Sequence, residues 1–533
     1  MVDEARLVHL IGCGVDEGPP GPVAELGFKA HNLARLARLG VPIPPAFVLG
    51  TGWCRACLAG GGELPEGARS QIAAALRRLE AASGLGFGSS RRPLLVSVRS
   101  GAPVSMPGMM ETVLNVGLGD TTLSGLLRVS GNPRLVWDSY RRLIESYAET
   151  VAGLPGAPFE TARRQALALN SVAAPAELDF RALRELALRE LALYATAADR
   201  PFPQSPVEQL EQAVAAVFRS WDGAKARWYR EAHGIAHELG TAVTVQRMVF
   251  GNAGGTSGAG VGFTRNPSTG SAELYVDFAP NAQGEDVVSG RTALVSAAAT
   301  QALPAPIWEE LAELAALLEH EFRDAQEFEF TVENGELFVL QTREAKRTPL
   351  AALRIAVELA EAGLLSPAEA RNRVATLDAG RLETVEVAAG GSIEPLLTGT
   401  GASIGVAAGA AVFDPGRAID RARAGEGVIL VREDLATTDI AALEATTGLL
   451  AVHGARTSHA AVLARQLGKA CIVGCTGLAI DADGHAGQFG AQRIAEGEML
   501  TLDAASGCVY PGSLPVVRTP PHELLGRLNA LGA

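Results

Sequence analysis

The stretch Thr457-Ser458-His459-Ala460-Ala461-Val462-Leu463-Ala464-Arg465 carries the sharpest local signal in the chain. It follows the apolar run Leu449 to Val452 and a glycine, so it reads as a strand, a turn and a helix start. A hydroxyl of Thr457 or Ser458 can accept a hydrogen bond from an amide that the helix leaves unpaired, which puts His459 in the first helical turn. Outward from this point, Gly405 to Phe413, Gly427 to Val431 and Ala470 to Val473 are further short apolar runs separated by helix-like segments. They define a compact α/β domain over 396–512, followed by a short tail helix within 513–533.

A neutral imidazole is nucleophilic enough to attack phosphorus at pH 7, and amides at a helix start favour the anionic group that results. On residues alone, one of nine histidines in such a context is more often an ordinary surface or core histidine. Its surroundings therefore decide its reading.

A chain of 533 residues is too long for one hydrophobic core and divides into two to four domains. Hydrophobic residues make up 47%, charged residues 20% and aromatics only 5%, so the cores are built from Ala, Leu and Val rather than rings. The formal net charge of -13 argues against a nucleic-acid surface. No stretch approaches the roughly 18 to 20 uncharged apolar residues of a membrane span, and the N-terminus lacks a basic segment followed by an apolar one. A cytoplasmic protein is expected. The six cysteines are too sparse for a disulfide framework. Cys54 and Cys57 read as a helical-surface coincidence rather than half a zinc site, and Cys471 and Cys475 as small buried thiols.

The N-terminal 1–347 has an α/β texture interrupted by a helical subdomain over about 159–237, where Leu183, Leu186, Leu188 and Leu191 recur at helical spacing. Segment 348–395 reads as an interdomain linker containing a helix over Leu350 to Ala362, with a flexible stretch near 385–395.

Two groups of residues in this region suit a nucleotide. Lys29 opens a helix in Gly27-Phe28-Lys29-Ala30-His31-Asn32-Leu33, and Arg99 ends the strand-like Val96-Ser97-Val98-Arg99-Ser100-Gly101, ahead of the loop Ser105 to Thr112. Two cations and a glycine-containing loop are what a polyphosphate needs. In Glu327-Phe328-Glu329-Phe330 the carboxylates lie two apart, so both project from one face of a strand while the rings pack behind. Such a pair can hold magnesium against nucleotide phosphates. An amphipathic hairpin with a solvated acidic face is the plainer alternative. Asn334-Gly335 marks the hairpin turn, and a type I turn with Gly335 as a left-handed bulge is expected, which would set Glu327 opposite Gln341.

The string around His459 resembles the phosphohistidine motif of the phosphoenolpyruvate-utilising enzymes, and the resemblance extends through Val428 to Glu433 and Gly468 to Cys471. Segments Gly27 to Leu33, Val96 to Leu118, Asn132 to Arg142, Val243 to Gly262, Asn281 to Val288 and Glu327 to Thr348 resemble, in order, the ATP-grasp region of the pyruvate, phosphate dikinases. Ser-Met-Pro-Gly-Met-Met-Glu-Thr and Asn-Ala-Gln-Gly-Glu-Asp-Val-Val look like the phosphate-dependent enzymes rather than the water-dependent phosphoenolpyruvate synthases. The fold implied is an α/β and α+β multidomain chain, an ATP-grasp region with a helical subdomain followed by a swivelling phosphohistidine domain.

The resemblance implies that His459 is the phosphorylated residue and that Thr457 and Ser458 support it. It implies that Lys29, Arg99, Arg142 and Arg343 bind ATP phosphates, with Arg141 able to exchange roles with Arg142. Glu327, Glu329 and Gln341 would contact the nucleotide and its Mg2+. Glu327 stands where the family more often has aspartate, and His453 where it has arginine. The reaction implied takes ATP and inorganic phosphate to AMP, pyrophosphate and phosphohistidine. In the family a C-terminal barrel then passes the group to pyruvate. No segment here has the pattern of such a barrel of about 250 residues, so the acceptor site is expected on a separate protein or a continuation of the chain, or the acceptor is another small molecule, as in relatives that phosphorylate rifamycins or phenol. A silent nucleotide-binding module is the alternative outside catalysis, and a homodimer is compatible with the sequence.

Overall fold

The computed structural model describes residues 8–14, 20–104, 106, 110–288, 303–377, 382–388, 393–434, 439–454, 456, 459–475, 477–481 and 483–531. The chain forms two compact units, Met1–Gly254 with Phe338–Gln341, and Gly255–Leu337 with Thr342–Ala533. It is a mixed α/β multidomain protein, as the sequence implies.

In the first unit, β1 (Val8–Ile11), β2 (Ala46–Leu49), β3 (Val96–Gly101), β4 (Thr112–Val116) and β5 (Ala242–Arg247) form a sheet in the order β1-β2-β5-β3-β4. Every pairing in it is antiparallel. Its three inner strands, β2, β5 and β3, are almost wholly buried, and helices Glu66–Ser83 and Pro206–Ser220 pack against the sheet.

Helix α1 (Phe28–Arg38) is clipped to the end of β3, where the Phe28 amide donates to the Ala102 carbonyl at 3.0 Å. Gly27 makes this approach possible. Its φ of 75° and ψ of 159° belong to a region almost restricted to glycine, and a Cβ there would stand 2.0 Å from the Gly101 carbonyl oxygen.

Helix α2 (Pro133–Thr150) starts where Asn132 Oδ1 accepts from the Leu135 amide at 3.1 Å and Pro133 occupies the first turn. It packs against α3 (Phe180–Ala198), capped by Asp179, and the expected helical subdomain is present as Ala157–Asn170, α3, Pro206–Ser220 and Ala224–Ala232.

A four-stranded sheet consists of β6 (Gly258–Phe263), β7 (Tyr275–Pro280), β8 (Gln326–Glu333) and β9 (Glu336–Glu344), in the order β9-β8-β6-β7, all in the second unit except Phe338–Gln341 of β9. On β6, glycines alternate with Ala259, Val261 and Phe263. A Cβ at Gly258, Gly260 or Gly262 would meet the rings of Phe278, Phe330 and Phe328 at 2.1 to 2.4 Å. The glycine face is thus filled by phenylalanine, each ring contributing roughly 2–3 kcal/mol of apolar burial. Register sets Glu327 opposite Phe263 and Glu329 opposite Val261, on the other face, where Asp277 also pairs with Val261.

The hairpin turn differs from expectation. Asn334 (φ 52°) and Gly335 (φ 86°) are both left-handed, the signature of a two-residue type I′ turn rather than a type I turn with a glycine bulge. That turn matches the right-handed twist of the strands, and the Asn334 amide is held by Ser257 Oγ at 3.0 Å. The extra residue lies in β9 instead. The Ala345 amide donates to the Ala325 carbonyl, whereas an unbroken two-residue hairpin would pair Ala325 with Glu344.

Helix α4 (Pro349–Glu361), capped by Thr348, leads toward an eight-stranded sheet. Its strands are β10 (Leu397–Thr398), β11 (Thr400–Gly401), β12 (Val406–Val412), β13 (Val428–Arg432), β14 (Gly448–Ala451), β15 (Ala470–Val473), β16 (Met499–Asp503) and β17 (Cys508–Pro511). They run in the order β10-β17-β16-β12-β13-β14-β15-β11, with β12 to β15 parallel. Helix α5 (His459–Leu467) connects β14 to β15, so its first turn lies beyond the carboxyl end of a parallel strand, where open α/β sheets bind ligands.

Part of the stretch expected to be flexible is a strand. Thr384–Val387 pairs antiparallel with Val516–Thr519, so the segments entering and leaving the 396–512 region form one two-stranded ribbon rich in β-branched residues. Residues 389–392 lie outside the described residues. The tail helix α6 (His522–Ala530) packs Leu524 among Leu350, Leu353 and Val357 of α4, with Arg527 bridging to Glu361 at 2.6 Å. Cys54 and Cys57 are helical but buried rather than on the surface, and burial pushes the Cys54 thiol up to about 11.

Gly27→Ala should cost roughly 3 kcal/mol or more of unfolding free energy, since a backbone carbonyl cannot yield to the new methyl group and the dihedrals are strained. Chemical denaturation measures this, and a loss below about 1 kcal/mol would contradict the close approach of α1 to β3.

Candidate functional site

The sites are built from the residues upward within each unit. In the first, Lys29 is exposed in the opening turn of α1, one residue after the Phe28 amide that ties this helix to β3. Arg99 sits on β3 between Thr244 and Thr112, and its Nε is buried without a hydrogen-bond partner among the described residues. The structure therefore brings the start of α1 to the strand end that carries Arg99. Of the loop between β3 and β4, Ser105 and 107–109 lie outside the described residues.

The adjacent arginines on α2 are sorted by one carboxylate. Arg141 is 4% exposed and held between Asp138 (3.1 Å) and Glu145 (2.6 Å). Arg142 is 15% exposed and donates through Nε to the other oxygen of Asp138 at 2.9 Å. Burial works against the charge of Asp138, but Arg142 and Arg141 outweigh it and hold the carboxyl well below the usual carboxylate range. Glu190 of α3 is the opposite case. Burial, and then the neighbouring Glu145 charge, push its carboxyl well above the ordinary value.

In the second unit, Glu327 and Glu329 project from the face of β8 opposite the rings, as the two-residue spacing predicts. Glu327 is 3% exposed, and Arg343 donates to its Oε1 at 2.5 Å while Oε2 is buried with no hydrogen bond among the described residues. Burial opposes the Arg343 charge, but the Glu327 carboxylate more than offsets this and raises the guanidinium above its ordinary value. Arg343, and not Gln341 as expected from the bulged turn, is the residue that β9 delivers to Glu327. Gln341 is buried on β9.

An unsatisfied buried carboxylate oxygen beside a second carboxylate fits a divalent cation whose remaining ligands are phosphate oxygens and water. No cluster of three or more acidic, histidine or cysteine groups suited to a metal occurs among the described residues.

The same face of this sheet meets the histidine domain. The Arg465 guanidinium of α5 lies 5.7 Å from the Phe263 ring centroid, and that of Arg456 lies 4.8 Å from Tyr275. Arg465 is buried and donates through Nη1 to the carbonyls of Ala402 and Arg456, each at 2.7 Å. It thereby fixes the turn three residues ahead of His459. Burial pulls the Arg465 guanidinium below its ordinary value, with Tyr275, Glu327, Cys471 and Asp277 opposing that shift. Both oxygens of Asp277 are buried without hydrogen bonds among the described residues, and burial raises this carboxyl to about 6 against the pull of Arg456 and Arg465. None of Asp277, Tyr275 or Arg456 stands out in the sequence. Arg465 closes the histidine motif there, but only the fold gives it a role.

Helix α5 starts at His459, in agreement with the sequence; only the backbone of His459 is described, and Thr457 and Ser458, with their expected capping role, lie outside the described residues. His453 is exposed, its amide bonded to the Glu433 carbonyl.

Residues 60–294 match the family model of the pyruvate phosphate dikinase AMP/ATP-binding domain, and 424–507 match that of the mobile domain of PEP-utilising enzymes. A region similar to a nucleotide-binding domain is thus followed by one similar to the mobile domain of the phosphoenolpyruvate-utilising enzymes. Over most of its length the chain is similar to the pyruvate, phosphate dikinases. It is 40% identical over 528 residues to that of Rhizobium meliloti (96% of this chain, 59% of the relative). It is 42% identical over 503 residues to that of Clostridium symbiosum (94% and 57%) and 39% over 521 residues to pyruvate, phosphate dikinase 2 of Zea mays (97% and 58%). The chain thus spans less than three-fifths of the length of these relatives. Among the described residues no helix is long and apolar enough to cross a membrane.

The raised pKa of Asp277 sets a sign. A carboxyl held above its ordinary 3.8 contributes stability that is full below that value and is lost as pH rises through about 6. The midpoint of thermal unfolding of the wild type should therefore fall between pH 5 and 7 relative to Asp277→Asn, and parallel profiles for the two proteins would contradict the placement of Asp277.

Proposed function

We propose that this chain uses ATP to phosphorylate His459, carrying out the donor half of a dikinase reaction. The observation that carries this reading is the packing of α5 and its preceding turn, through Arg465 and Arg456, on the face of the small sheet that bears Glu327 and Glu329. A histidine domain seated on a carboxylate face suited to a phosphate-bound cation is what phosphoryl transfer from a nucleotide requires.

In this reading Lys29, Arg99, Arg142 and Arg343 bind ATP phosphates. Glu327, Glu329 and Gln341 hold the nucleotide's Mg2+, which neutralises phosphate charge when bound. The His459 imidazole attacks the β-phosphorus. A nitrogen–phosphorus bond forms, the bond from that phosphorus to the bridging oxygen of the α-phosphate breaks, and AMP leaves with the oxygen. Inorganic phosphate then attacks the outer phosphorus, releasing pyrophosphate and leaving phosphohistidine. Thr457 and Ser458 support the histidine. By analogy with the relatives, the acceptor we propose is pyruvate, whether its site lies on this polypeptide or on another. The domains assigned are 1–347, 348–395, 396–512 and 513–533, with the strand pair Thr384–Val387 and Val516–Thr519 as the hinge on which the histidine domain swings. A reducing cytoplasm is the compartment that suits its free cysteines.

ATP labelled separately at the β and γ positions tests the reaction, with and without phosphate. Wild type should retain both labels without phosphate and only the β label with it, releasing AMP, while His459→Ala retains neither. Release of ADP with the γ label kept on the protein would refute the relay. Glu329→Gln should slow labelling on the order of 100-fold at fixed Mg2+, and an unchanged rate would remove it from the metal site.

A further inference from the structure

Asp138 has no place in the chemistry proposed above, yet it holds both adjacent arginines of α2. It lies in α2, 3% exposed, and its two oxygens are divided between neighbours with different fates. Oδ1 accepts from Arg141, which is also committed to Glu145 and closed off from solvent. Oδ2 accepts from Arg142 Nε at 2.9 Å and from Asn252 Nδ2 at 3.4 Å. Asn252 belongs to the glycine-containing loop Gly251-Asn252-Ala253-Gly254 that follows β5, and the same loop is tied to the start of α2 by Asn132 Nδ2 donating to the Ala253 carbonyl at 3.2 Å.

The geometry points to Asp138 as a positioning residue that orients Arg142 and the Gly251–Gly254 loop together for a polyphosphate; this rests on the phosphate-binding role proposed for Arg142. A bond through Nε fixes the plane of a guanidinium, because that nitrogen lies within the planar group and a single hydrogen bond there removes rotation about the last side-chain torsion. Arg141 serves as the counter-charge that lets Asp138 stay ionised inside the protein. Two adjacent arginines are thus given separate tasks by one carboxylate.

A purely structural role for Asp138 would show as lost stability alone, so the test reads nucleotide binding as well. ATP affinity of the intact chain is measured by calorimetry with Mg2+ present, alongside thermal unfolding. Asp138→Asn should weaken ATP at least tenfold, and Arg142→Ala by a similar factor, while the double variant is little weaker than either, the signature of one shared interaction. Arg142→Lys, which keeps the charge but has no Nε in a planar group, should also weaken ATP about tenfold, and it serves if Asp138→Asn does not fold. Arg141→Met should lower the unfolding midpoint and weaken ATP less than Asp138→Asn does, because Arg142 still balances the Asp138 charge.

Independent, multiplying effects of Asp138→Asn and Arg142→Ala would overturn the positioning role while leaving Arg142 as a phosphate ligand. So would wild-type affinity in Arg142→Lys, or an affinity loss in Arg141→Met as large as that in Asp138→Asn. Wild-type affinity in Arg142→Ala would overturn both this inference and the reading on which it rests.

Discussion

The constraint on which the second unit depends is the filling of one sheet face by rings where β6 offers no side chains. Gly258, Gly260 and Gly262 leave space that Phe278, Phe330 and Phe328 occupy, and a Cβ at any of the three glycines would overlap a ring. Because side chains alternate along a strand, burying Phe328 and Phe330 on that side commits Glu327 and Glu329 to the other. The carboxylate face then becomes the surface on which the Arg465 and Arg456 guanidinium groups rest. A packing requirement of the core thereby decides which face of the sheet carries the two carboxylates.

The same economy holds in the first unit. A glycine with dihedrals few other residues adopt brings α1 against the end of β3, so the segments bearing Lys29 and Arg99 are fixed by backbone contact. Arg142 is fixed by charge instead, through a carboxylate whose burial is tolerable because two guanidinium groups share it.

Much of this was legible in the chain itself. The strands flanking the histidine motif, the helix beginning at His459, the helices within 159–237 and the projection of Glu327 and Glu329 from one strand face follow from periodicity and from the resemblance to phosphoenolpyruvate-utilising enzymes. The hairpin register did not follow. Asn-Gly is compatible with more than one turn, and the extra residue in β9 leaves no local mark, so the pairing of Arg343 with Glu327 could only be seen in three dimensions. The ribbon of Thr384–Val387 with Val516–Thr519 was hidden because its partners are more than a hundred residues apart. Asp277 and Asp138 were missed for a related reason: one acidic residue in a strand or helix resembles any other until burial and long-range neighbours give it a task.

The central claim is that the histidine at the start of α5 receives phosphate from ATP. Peptide mapping by mass spectrometry at alkaline pH, where phosphohistidine survives, tests it most directly after incubation with ATP, Mg2+ and phosphate. The account predicts a single phosphoryl group on the peptide containing His459, absent from His459→Ala. An unmodified His459 peptide from a protein that binds ATP, or a phosphoryl group on another residue, would contradict it.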